Sequence, residues 1–248
     1  MRKKKPLGKC QNTKSKGKIM LFLKETKLAY PNLKNIFEVG AHRGYDIPHI
    51  LEYWPEANIY AFEADPFNYS ILKDKFKNEN RVHIFHLAIT DKTEKLIFNR
   101  YYDIESILDS ETMVGSNLQN TGQGSIMKPG KGMKEIFKVS QTIQEIEVQG
   151  MSLKDFCVDN NINSIDAIFM DVQGAEFNVL RGCEELINNL KALIFEWSTK
   201  YVMYQGETDF NFIKLYLESH IGMAEVSREY QFQDISGDSL FLKMEGKQ

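Results

Sequence analysis

The segment Phe37-Glu38-Val39-Gly40-Ala41-His42-Arg43-Gly44 sets an acid ahead of two glycines at the end of an apolar run. Gly40 lets the backbone turn where a side chain would collide with a ligand, and Gly44 is placed to open a helix whose free amides face the same crevice. A second carboxylate, Glu63, ends Tyr60-Ala61-Phe62-Glu63 and lies 19 residues beyond Gly44. At that distance a Rossmann-type fold places the acid that accepts hydrogen bonds from ribose hydroxyls. The two signals point to an adenosine-containing ligand at the carboxyl ends of the strands. The turn is Gly-x-x-x-Gly rather than G-x-G-x-x-G, so it offers little backbone to a pyrophosphate, while Glu38 offers a carboxylate to a cationic group. S-adenosylmethionine, with an amino group, a sulfonium and no phosphate, fits that pattern better than a dinucleotide.

The elements that must hold these residues alternate. The apolar pattern predicts a first helix over Ile19–Tyr30, strands at Asn35–Val39, Asn58–Phe62 and Val82–Ala88, and helices at Gly44–Tyr53 and Pro66–Phe76 between them. That is the βαβ signature of a parallel sheet with helices on both faces. Regularity breaks over 91–165, where Leu96–Arg100 and Ile143–Gln149 read as strands around a Gly-rich stretch from Gly115 to Gly132, a loop of the length found in functional lids or disordered segments. Met151–Asn160 reads as a helix with Ser152 as N-cap. The alternation resumes with Ser164–Met170, a helix at Ala175–Leu190, Ala192–Trp197, a helix at Asp209–Ser219, and Met223–Tyr230 with Ser239–Met244 as a closing antiparallel hairpin.

Four stretches together resemble the FkbM family of methyltransferases: Glu38 to Gly44, Ala61-Phe62-Glu63-Ala64-Asp65-Pro66, Leu87-Ala88-Ile89-Thr90-Asp91, and Asp171-Val172-Gln173-Gly174-Ala175-Glu176 followed by Val179-Leu180-Arg181-Gly182. The resemblance covers Ile36 to Trp197. It implies an α/β, Rossmann-like class I methyltransferase fold, with a mostly parallel seven-stranded sheet, an antiparallel C-terminal hairpin and helices on both faces. It also implies an S-adenosylmethionine-dependent O-methyltransferase acting on a hydroxyl of a sugar, glycan or other small natural product. Carried over residue by residue, Glu38, Gly40, Ala41, His42 and Gly44 would line the methionine end of the cofactor, Glu63 would hold the ribose, and Ala88 would sit beside the adenine. Asp171 and Glu176 would face the reacting centre.

Two positions depart from the family pattern: Gln173 stands where Glu is usual and His42 where Asn is usual. The base is therefore assigned to Asp171, at a strand's carboxyl end inside the matched motif, and His42 is expected to contribute its backbone. Acceptor choice is assigned to the insertion at 91–165, with Ser125 as the substrate-binding residue and Ser106 and Lys128 as further polar candidates. No metal is implied. An RNA ribose methyltransferase, a non-catalytic cofactor-binding protein and a nicotinamide-dependent oxidoreductase are the competing readings.

Composition sets the outer bounds. With 248 residues and 42% apolar side chains the chain is not disordered throughout, and it has the length for one domain, expected over 19–248. Residues 1–18 carry eight cations and no acid, which leaves the rest at −11 against a total of −3. They read as a flexible, solvated basic tail, of a kind that could also touch a nucleic acid such as RNA, anionic lipid or an acidic partner. Cys10, Cys157 and Cys183 are odd in number and form no C-x-x-C pair, so a reducing, cytoplasmic location is expected. No run approaches the roughly 18 apolar residues of a membrane span.

Overall fold

A computed structural model describes residues 13–103, 122, 124–133, 141–199, 203–231 and 236–244. Seven strands form its central sheet, the inner ones apolar and buried on both faces, as parallel strands covered by helices require, and the two edge strands only partly buried. The seven are β1 (Asn35–Val39), β2 (Asn58–Phe62), β3 (Val82–Phe85), β7 (Ala167–Met170), β8 (Ala192–Ser198), β9 (Met223–Gln231) and β10 (Ser236–Lys243). They lie in the order β3-β2-β1-β7-β8-β10-β9, parallel except for β10, which runs against both β8 and β9. This is the class I methyltransferase arrangement that the resemblance implied. The strand order reverses between β1 and β7, so the crevice at their carboxyl ends is the topological switch point, where open α/β sheets bind ligands.

Alternate residues of each strand feed two apolar cores. Ile36, Ile59, Phe169 and Ile194 pack on one face beneath α1 (Thr13–Ala29), α2 (Ile47–Tyr53) and α3 (Pro66–Lys75). Phe37, Phe62, Ile168 and Phe195 pack on the other beneath α4 (Leu153–Asp159), α5 (Glu176–Arg181) and α6 (Phe210–Tyr216). Three further strands, β4 (Ala88–Thr90), β5 (Lys95–Asp103) and β6 (Gln141–Ser152), form a second sheet in the order β4-β6-β5. Asp65 ties the two together: it caps α3 and takes the guanidinium of Arg100 on β5 at 2.5 Å.

Several boundaries differ from the sequence reading for identifiable reasons. α1 begins at Thr13, so its first turns extend into the stretch expected to be a tail, and residues 1–12 lie outside the described residues. α2 begins at Ile47 rather than Gly44, with Pro48 in the first turn, where its missing N–H costs nothing. The single strand expected over 82–88 divides between the two sheets. The helix expected over 175–190 ends at Arg181 and resumes as a 3-10 turn over Glu184–Asn189. The break is at Gly182, where a Cβ would lie 2.2 Å from the carbonyl oxygen of Thr90.

Candidate functional site

The turn after β1 is fixed by backbone geometry. Gly40 has φ +81 and sits against β7, where a Cβ would stand 2.1 Å from the carbonyl oxygen of Asp171. Only glycine fits both demands. His42 follows at φ +50, and its amide donates to Glu63 Oε2 at 2.7 Å, while the amide of Asp65 donates to Glu63 Oε1 at 2.7 Å. The two predicted motifs are thus joined directly, and each Glu63 oxygen keeps an accepting lone pair. Burial raises the Glu63 carboxyl to about 7, against the lowering effect of those two amides.

A cleft of about 660 Å³ opens at this point, lined by Glu38, Gly40, Ala41, His42, Glu63, Ala88 and Asp171 among others. Seven of the residues carried over from the family motifs therefore share one cavity. Gly44 is not among its lining residues. A Cβ on Gly44 would lie 2.5 Å from Phe76 and 2.6 Å from Leu72, so the residue packs the turn onto α3. The His42 ring does line the cleft; burial holds its imidazole down at about 4, and Nε2 is buried without a hydrogen-bond partner.

This cleft fits S-adenosylmethionine on two observations. Glu38 Oε2 is buried and unpartnered, and burial, with Asp46 and Asp171 adding to it, pushes the carboxyl well above its usual range. A cationic amino group would satisfy that atom. The remaining lone pairs of Glu63 suit a ribose diol.

A second cavity, of about 110 Å³, lies beyond the cleft and is lined by Gln173, Gly174, Glu176, Trp197 and Tyr204. Glu196 lines both cavities. The parallel register pairs Met170 with Phe195, which sets Asp171 and Glu196 side by side one step further on. Gln173, at φ +56, reaches both carboxyls through one amide nitrogen, 2.5 Å from Asp171 Oδ1 and 2.7 Å from Glu196 Oε2. Its amide oxygen accepts from the Tyr204 hydroxyl at 2.6 Å. Asp171 is exposed in the cleft, yet the surrounding protein desolvates its carboxyl and raises it. Burial raises Glu176 to about 8 and Glu196 well above the carboxylate range, with Asp171 adding to both.

Ser125 lines neither cavity. Its hydroxyl donates to the Gln173 carbonyl at 2.8 Å and accepts from the Met127 amide at 2.9 Å, so it pins the loop to the turn after β7. Ser106 lies outside the described residues. Of the insertion at 91–165, Met133 alone among the described residues reaches the second cavity; most of that wall comes from 196–213. Glu196, Trp197, Tyr204 and Glu207 were not singled out as site residues from the sequence. The signal available for Glu196 was its place at the end of the strand next to Asp171.

Residues 38–232 match a family model described as the methyltransferase FkbM domain. Among curated proteins, the chain is 27% identical over 172 residues to a 2-O-methyltransferase, NoeI, of Sinorhizobium fredii (strain NBRC 101917 / NGR234), covering 69% of this chain and 66% of that protein. It is 26% identical over 170 residues to Methyltransferase 1 of Beauveria bassiana (strain ARSEF 2860), covering 65% of this chain and 64% of the relative. The chain thus spans just under two thirds of the length of both relatives. Among solved structures, the N-methyltransferase NodS from Bradyrhizobium japonicum WM9 aligns over 94% of this chain and 99% of its own, at 10% identity and a TM-score of 0.48.

Proposed function

The chain belongs to the FkbM methyltransferase family, and on that premise we propose that it is an S-adenosylmethionine-dependent O-methyltransferase acting on a hydroxyl of a sugar, glycan or other small natural product. The observation that carries this reading is the joining of the Gly40–His42 turn to Glu63 in one cleft that ends at Asp171. When bound, the cofactor supplies a methyl group on a sulfonium, whose bond to sulfur breaks with the electron pair left on sulfur.

The protein's part is binding, alignment and removal of a proton. Glu38 would take the cofactor's amino group and Glu63 its ribose. The second cavity, which meets the cleft at Glu196, would hold the acceptor, and Asp171 would receive the hydroxyl proton. Alignment of oxygen, methyl and sulfur can contribute on the order of 7–11 kcal/mol, and a positioned base about 10²–10⁴-fold in rate. An O-methyl acceptor is supported by the 2-O-methyltransferase among the relatives. A cytoplasmic site is part of the proposal, supported by Cys157 and Cys183, both buried free thiols.

The test is calorimetry with S-adenosylhomocysteine, followed by a methyl-transfer screen over methyl glycosides, glycan oligomers, phenols and RNA oligonucleotides. The proposal expects binding and transfer to a hydroxyl of a non-nucleic acceptor. Asp171→Asn should lose about a hundredfold or more in turnover while keeping its affinity for S-adenosylhomocysteine within threefold. Methylation of RNA alone, binding without transfer, or full turnover by Asp171→Asn would each overturn the corresponding assignment.

A further inference from the structure

We propose that Glu196 is a further catalytic residue: with Asp171 it forms a proton-accepting pair at the wall between the cofactor cleft and the acceptor cavity, held together by the side chain of Gln173. The inference rests on the methyl-transfer reading for its chemistry and on three observations for its geometry. Glu196 lines both cavities, whereas Asp171 lines only the cleft and Glu176 only the second cavity. The register that pairs Met170 with Phe195 sets Asp171 beside Glu196 at the ends of neighbouring strands. One Gln173 nitrogen donates to both, at 2.5 and 2.7 Å.

Two carboxyls gathered on one amide nitrogen lie so close that ionising both is disfavoured, and such a pair retains one proton. Gln173 suits that arrangement in a way that a carboxylate could not. Its nitrogen donates to both acids while its oxygen takes the Tyr204 hydroxyl, and the backbone carbonyl of the same residue takes Ser125. A Glu here would add a third acid to the pair and would have no N–H to give. The departure from the family pattern is thus matched to a singly protonated Asp171–Glu196 pair. In the reaction the acceptor's O–H bond breaks, its electron pair stays on the oxygen that attacks, and the proton goes to the ionised carboxylate of the pair. The pair ends with two protons and returns one to water.

Among the described residues, the Tyr204 hydroxyl reaches the pair through Gln173, and the other titratable groups facing it are acids: Glu176 from α5, Asp238 from β10, Glu38 from β1, and Asp46 and Glu63 lining the same cleft. Each of these acids favours retention of the pair's proton. Removing either member of the pair therefore changes how the other titrates, and the loss of turnover separates a catalytic Glu196 from one that is only a neighbour of Asp171.

The test is a carbon-13 carboxyl titration of the full chain, free and saturated with S-adenosylhomocysteine. The proposal expects the Asp171 and Glu196 carbons to titrate in two linked steps, one of them well above the ordinary carboxylate range. In Glu196→Gln, Asp171 should titrate in a single step about one pH unit or more lower. Turnover of that variant on the acceptor found in the screen should fall about a hundredfold, and its acidic limb should move to lower pH. Independent titration of the two wild-type carboxyls near their usual values would overturn the pair, and needs no variant that must fold. A kcat of Glu196→Gln within threefold of wild type would overturn the catalytic role. Absence of S-adenosylhomocysteine binding would instead overturn the methyl-transfer reading, since the titration is read equally in the free protein.

Discussion

Glu63 shows how one carboxylate can set both the shape and the pH response of a binding site. Its two oxygens hold the turn after β1 and the entry to α3 through backbone amides, and burial still keeps its proton on up to about 7. Ribose hydroxyls donate to the ionised form, so cofactor binding and deprotonation of Glu63 are linked. Affinity for S-adenosylhomocysteine should accordingly fall as the pH drops below 7, by up to about tenfold per pH unit, with proton release on binding in that range. Calorimetry in buffers of different ionisation enthalpy measures both effects. Constant affinity between pH 5.5 and 7.5 would remove Glu63 from the ribose site. At the same scale, His42 contributes a backbone amide to Glu63, and its ring stays neutral at physiological pH.

The site's geometry depends most on the junction of β1 with β7. The register sets Val39 against Met170, and the Asp171 amide donates to the Val39 carbonyl at 3.0 Å, so the next residue on β1 lies against the Asp171 carbonyl. Gly40→Ala would put a methyl 2.1 Å from that oxygen at φ +81. The strands must splay or the turn must flip. A loss of about 2 kcal/mol or more is expected in urea unfolding, together with weakened S-adenosylhomocysteine binding. A variant that melts like wild type and binds normally would show that the close approach is dispensable. Gly44 is a contrasting case. It too has positive φ, but its neighbours are the Leu72 and Phe76 side chains, so its duty is packing the turn onto α3.

Across the whole molecule, acids crowd the end of the sheet where ligands bind, and this shapes stability as well as chemistry. Glu63 and Glu176 are raised to about 7 and 8 from 4.5. A carboxyl raised on folding stabilises the folded state fully below its unfolded value and ceases to do so as the pH climbs through its folded value. Asp166 behaves oppositely. Burial pushes it up, but Lys191 and the amides of Lys34 and Asn35 hold it below its usual range, so its contribution is lost on acidification. The ligand-free protein should therefore unfold at lower urea at pH 8 than at pH 5.5, by on the order of 3 kcal/mol for each raised acid at most. Glu176→Gln should flatten that trend, and an equal midpoint at both pH values would contradict it. The sequence by itself determined the alternation of buried strands and helices, the Gly40 turn, the partnership of Glu38 and Glu63 in one crevice, and the family. Each of these is written in local apolar periodicity or in short motifs at strand ends, which local burial and backbone freedom dictate. Only the tertiary structure decided that Glu196 stands beside Asp171, that Gln173 bridges them, that Ser125 pins a loop, and that residues beyond β8 wall the second cavity. Those facts depend on the register between strands 25 residues apart and on which loops meet over the sheet, and no periodicity within a single segment encodes either.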